Sequence, residues 1–96
     1  MAHEGYHEPV DKLSAATMDF HRAVVSLIEE LEAVDWYNQR VDACTDSDLK
    51  SILAHNRDEE IEHASMTLEW IRRKNAVFDK ELREALFKTG PITDHR

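Results

Sequence analysis

Between Val10 and Thr89 the chain runs for 80 consecutive residues without a glycine or a proline. The two glycines and two prolines it has, Gly5, Pro9, Gly90 and Pro91, all lie at the ends. A β-rich chain of 96 residues needs tight turns, and tight turns draw on Gly, Pro and Asn-Gly pairs. Asn38, Asn56 and Asn75 are the asparagines, and none precedes a glycine. The sequence therefore predicts an all-α protein built from long helices. A chain this short buries a limited share of its surface, so such a protein gains stability by associating with copies of itself.

Charge narrows the partners. With 12 Lys and Arg against 20 Asp and Glu the formal net charge is −8. That balance argues against nucleic acid and anionic lipid, which need a basic face, and suits cations. The single Cys44 excludes an internal disulfide or a multi-cysteine metal site and fits a reducing compartment. No apolar run reaches the ~18 residues needed to span a membrane. The N-terminus lacks the basic and then apolar regions of a signal peptide. The expected location is the cytoplasm.

Hydrophobic spacing divides the chain. Residues 1–9 read as a flexible N-terminal tail, 10–89 as a single helical domain, and 90–96 as a C-terminal tail. Leu13, Thr17, Phe20, Val24, Leu27, Leu31 and Val34 recur at alternating steps of four and three, which predicts a helix over about 10–40. Asp42 to Asp48 is a cluster of turn and cap formers. Thr45 followed by Asp48 reads as a capping box, and a second helix is expected from about Asp46. Its seam is Leu49, Ile52, Asn56, Glu60, His63, Thr67 and Trp70, with Ile71 alongside, ending on Arg72, Arg73 and Lys74, where cations complement the helix dipole. The phase breaks near Asn75. A third, shorter helix over about 77–88 carries Phe78, Leu82, Ala85 and Leu86 on one face, with Gly90 as its expected cap and Pro91 as its stop. The short connection makes the first two helices an antiparallel hairpin.

The second seam is polar in its middle. Asn56, Glu60 and His63 fall where a partner helix is expected, and carboxylates are rarely buried unless paired or bound to metal. Glu60 and His63 are three apart and leave one helix face together. Glu30, between Leu27 and Val34 on the first seam, borders the same interface at a comparable height. One chain thus offers two carboxylates and one imidazole from two helices. That set is half of a di-iron carboxylate site, which uses one Glu from each of two helices and Glu-x-x-His from each of the other two. The missing half must come from a second, symmetry-related copy. The competing reading is a plain surface pair of Glu60 and His63, or an ion pair with Arg57 or Arg73. Tyr37, seven residues after Glu30, shares its face and can hydrogen-bond a ligand or simply pack. Glu29 and Glu32 make an acidic face beside Trp36. His3-Glu4-Gly5-Tyr6-His7 matches the pattern of zinc metalloproteases, but it holds a glycine and lies in a tail, which does not suit a rigid catalytic helix.

The stretches from Val25 to Ala43 and from Ile52 to Arg73, which contain these acids, together with Gly90-Pro91-Ile92-Thr93, closely resemble the encapsulated ferritins. The resemblance covers most of residues 7–93. It implies a ferroxidase that oxidises Fe(II) with dioxygen inside an encapsulin nanocompartment, in partnership with the shell protein. It also implies a ferritin-like four-helix bundle made by two chains, with dimers assembling into a decameric ring. Carried over residue by residue, Glu30, Glu60 and His63 become iron ligands supplied by both chains. Glu60 becomes the bridging carboxylate, and Tyr37 a neighbour of the centre. Glu29, Glu32 and Trp36 match a second metal site on the path by which iron enters. His55, Glu59 and Glu62 match a peripheral cation site, for Ca2+ among others. Family members usually continue into a flexible tail with a targeting peptide, whereas this sequence stops at Arg96, so the expectation is either a chain cut short of that peptide or targeting by another route. The alternative is a non-enzymatic helical dimerisation or cargo module with a structural cation.

Overall fold

The computed structural model describes residues 5–94. Among them the regular elements are all helices, with α1 over Ala15–Ala43, α2 over Ser47–Lys74 and α3 over Ala76–Ala85, and a single 3-10 turn at Val10–Lys12 before them. No helix of the described residues is long and apolar enough to cross a membrane.

Each helix start has a local cause. The first begins later than its apolar spacing suggests. Ser14 is extended and its hydroxyl accepts from the Thr17 amide at 3.1 Å, so Leu13 stays outside the helix. At α2 the cap is Asp46, whose carboxylate accepts from the Leu49 amide at 2.8 Å, and the Thr45–Asp48 box is not used. Asn75 ends α2 and caps α3, its side chain accepting from the Phe78 amide at 2.8 Å. The third helix stops at Ala85, short of the expected boundary. Leu86 turns extended and Phe87 takes a left-handed φ of 60°, so Gly90 (φ 89°) bends a segment that has already left the helix.

The three-residue link Cys44–Asp46 folds α2 back along α1. Contacts fix the antiparallel register: Arg57 Nη1 donates to Asn38 Oδ1 at 3.1 Å, and further from the turn His63 lies beside Glu30. At the open end Phe20 of α1 meets Phe78 of α3, ring centres 6.3 Å apart. Gly5 to Pro9 form no helix, yet Tyr6 stacks on His21 at 4.5 Å, so this part of the expected tail rests on α1. His3 and Glu4 lie outside the described residues, and the remainder of the His3–His7 pattern is not helical.

The core is thin. Among the described residues only Ala64 and Ile71 are buried. They belong to a stripe of α2 with half-buried Leu53, Arg57 and Leu68, and on α1 Phe20, Val24, Leu27 and Val34 are half-buried as well. That stripe is one residue out of phase with the expected seam. Leu49, Ile52 and Trp70 of the expected seam are exposed, Ile52 at 57%, together with Met66 and, on α1, Leu31. A step of one residue turns a helix by about 100°. The seam of Asn56, Glu60 and His63 therefore runs along the margin of the hairpin instead of between its helices. With extents of 50 × 39 × 19 Å the described chain is a slab that leaves many large apolar side chains exposed.

Candidate metal centre

Glu30 sits near the middle of α1, and Glu60 and His63 lie one turn apart on α2. The antiparallel register brings them together. His63 Nδ1 is 3.5 Å from Glu30 Oε2 and 3.7 Å from Glu60 Oε2. One ligand atom from each residue fits within 4.8 Å of the others. The three side chains are half-buried, and Glu30 Oε2 is fully shielded and makes no hydrogen bond. A shielded carboxylate oxygen without a donor costs free energy, on the order of 1–3 kcal/mol or more for a charged group, unless a cation satisfies it.

Electrostatics points the same way. The Glu30 carboxyl is held above its ordinary value of 4.5, first by its side-chain hydrogen bonding with Glu60, then by burial and the negative charge of Glu60. The neighbouring imidazole opposes this shift without cancelling it. Two carboxylates that repel each other and one ring nitrogen form a hard, oxygen-rich donor set suited to iron, zinc or manganese. Of the competing contacts, Glu60 and His63 do pair with each other, but neither pairs with an arginine. Arg57 turns to Asp58 and Asn38, and Arg73 to Glu69.

The other sequence candidates fall elsewhere. Glu29 and Trp36 are exposed, and with Glu32 they occupy a face of α1 turned away from Glu30, where one chain gathers no group of three ligands. His55 Nε2 lies 3.2 Å from Glu59, while Glu62 groups with Glu59 and with His63. The ring of Tyr37 lies beneath the Arg40 guanidinium at 5.2 Å, about 10 Å along the helix from Glu30 at 1.5 Å per residue. The contact between Asn38 and Arg57, next to the site on the turn side, escapes a reading by residue type. Antiparallel register exposes it, since the residues opposite each other keep a nearly constant sum of positions.

An α-helical hairpin that carries two carboxylates and an imidazole on facing turns defines the ferritin-like class. Within that class the chain belongs to the EncFtn-like family, whose profile matches residues 5–89. It is 63% identical over 87 residues to the encapsulated ferritin-like protein of Rhodospirillum rubrum, covering 91% of this chain and 62% of that protein. It is 54% identical over 89 residues to a ferritin-like protein of Thermotoga maritima, covering 93% of this chain and 78% of the relative. An encapsulin nanocompartment cargo protein of Myxococcus xanthus is 39% identical over 64 residues, which is 67% of this chain and 49% of that one. Among solved structures, protein ne0167 from Nitrosomonas europaea superposes with a TM-score of 0.90 at 64% identity, over 95% of this chain and all of the other.

Proposed function

We propose that the chain is a ferroxidase subunit whose di-iron centre is completed by a second copy and which works as cargo inside an encapsulin shell. The observation that carries this reading is the half-site itself. Glu30, Glu60 and His63 converge, Glu30 Oε2 makes no hydrogen bond, and the α2 face that carries Glu60 and His63 also carries the exposed Leu49, Ile52 and Trp70. A two-fold axis beside that face would cover the apolar residues and double the ligands to four carboxylates and two imidazoles. The names of the relatives in Rhodospirillum rubrum and Myxococcus xanthus support encapsulation.

Iron is the substrate in this reading. Glu30 and Glu60 would bind Fe(II) through oxygen, His63 would add one nitrogen to each metal, and Glu60 would be the carboxylate shared by the pair. The carboxylates favour Fe(III) over Fe(II) because their negative charge stabilises the higher oxidation state. Each Fe(II) gives one electron to dioxygen. Tyr37 flanks the centre. Glu29, Glu32 and Trp36 form an acidic approach for incoming iron once chains assemble, and His55, Glu59 and Glu62 hold a peripheral cation such as Ca2+. Dimers build a decameric ring, and mineral accumulates in the surrounding shell.

The test follows ferric absorbance after Fe(II) is mixed with aerated protein, with oligomer size measured in parallel. Glu60→Ala and His63→Ala are expected to slow oxidation at least about tenfold and to abolish tight iron binding. Unchanged kinetics in both variants would overturn the assignment. Assembly on Fe(II) without turnover would replace it with a structural cation.

A further inference from the structure

Arg57 precedes Glu60 by three residues on α2, a spacing at which an arginine and a glutamate normally reach each other. The neighbouring carboxylate pair offers the guanidinium a strong attraction. Glu30 Oε2 is shielded and without a hydrogen bond, and Glu30 and Glu60 repel each other. Yet the guanidinium is turned the other way. Its Nη1 donates to Asn38 Oδ1 on α1 at 3.1 Å, and its Nε donates to Asp58 Oδ1 at 3.1 Å. Asp58 alone is a weak restraint, because that carboxylate is largely exposed and such pairs contribute little. Asn38 supplies the contact across the hairpin, nineteen positions away in sequence.

We propose that Asn38 is a positioning residue that holds the Arg57 guanidinium off the Glu30–Glu60 pair, so that the carboxylates remain open to a metal cation. The inference rests on the metal-binding reading above. Arg57 and a divalent cation compete for the same oxygens, and Asn38 decides the competition by giving Arg57 another acceptor. An uncharged amide suits this task. It accepts from the guanidinium without adding a third negative charge beside the site.

The full-length protein in its own assembled state is used for two measurements. Metal-free crystal structures of the wild type and Asn38→Leu locate the guanidinium directly. In Asn38→Leu it is expected within hydrogen-bonding distance of Glu60 or Glu30, and a guanidinium that stays on Asp58 or turns to solvent overturns the proposal. Anaerobic titration calorimetry with Fe(II) then compares four proteins with the wild type. Asn38→Leu is expected to bind about fivefold more weakly. Asn38→Asp, which keeps an acceptor but adds a negative charge beside the site, is expected to bind at least as tightly as the wild type, and the double variant Asn38→Leu/Arg57→Gln near the wild type, as is Arg57→Gln alone. A double variant as weak as Asn38→Leu overturns the proposal, because Asn38 would then act through the fold and not through Arg57. A wild type that binds no Fe(II) defeats the ferroxidase reading instead, and the crystal structures still decide where Arg57 goes.

Discussion

At the elbow between α2 and α3 three arginines share two carboxylates, whereas at the middle of the hairpin two carboxylates share one imidazole. Arg72 donates through Nε and Nη2 to both oxygens of Glu69, at 2.7 and 2.8 Å, and through Nη1 to Asp79. Arg73 adds a bond to Glu69 and Arg83 one to Asp79. Hydrogen bonds from Arg72 and Arg73 hold the Glu69 carboxyl down to about 2, and those from Arg72 and Arg83 hold Asp79 below its ordinary value. At the hairpin the shift has the opposite sign, and Glu30 is raised. The two clusters lie within one helix length of each other, and each is built on a pair of carboxylates. Where cations are built in, the cluster joins helices; where they are withheld, it is left to take a cation from solution.

The largest test of this contrast is Glu30→Gln. It is expected to weaken Fe(II) binding tenfold or more while raising the thermal midpoint of the metal-free protein at neutral pH. The sign follows from the raised Glu30 carboxyl. A carboxyl whose folded value lies above its ordinary 4.5 contributes stability that is present below that value and lost as pH rises through the folded one. Glutamine removes the loss. A metal-free variant no more stable than the wild type, by calorimetric scanning in chelator, would contradict the contrast.

Next in size is the exposed apolar set on the α2 face that carries Glu60 and His63. Ile52→Lys is expected to convert the assembled species to a smaller one in light scattering after gel filtration, with oxidation falling in proportion. An unchanged mass would separate the site from those apolar residues. Arg72→Ala moves the other cluster: a drop of a few degrees in thermal midpoint at pH 7 is expected with iron affinity intact. Glu69 is depressed, so its contribution is present above about 4.5 and lost as pH falls toward about 2. Circular-dichroism melts from pH 5 to pH 2 are therefore expected to converge for wild type and variant, and parallel curves would remove Glu69 from the account. The smallest effect is expected for Tyr37→Phe, about a twofold slowing of oxidation in stopped-flow absorbance with binding unchanged. A complete loss of oxidation would move Tyr37 from neighbour to essential participant.

The stretch without Gly or Pro made the long helices legible, and the acid-rich turn and Asn75 placed two of their boundaries. The meeting of Glu30, Glu60 and His63 was readable too, because register in a hairpin with a short link leaves little freedom in height. What escaped has local causes. Leu13 continues the apolar spacing, so the pattern ran through the Ser14 cap that ends it. On α2 two stripes with the same three-and-four spacing lie one residue apart. The stripe that packs contains Arg57, whose charge hides it, while the open stripe contains Ile52 and Trp70 and looks like a core. At the end of α3 Leu86 and Phe87 keep the apolar pattern going, and no residue type announces the left-handed turn at Phe87.

The three-residue link between the long helices also has a kinetic consequence. Contacts across a hairpin enclose more chain the further they lie from the turn. Asn38 and Arg57 close a loop of 19 residues, and Glu30 and His63 one of 33 by subtraction of their positions. The longer closure costs only about 0.5 kcal/mol more in chain entropy, so once the turn forms the helices can zip outward with little resistance. The ligand set is then assembled late on that path, after the guanidinium beside it has already found its partner.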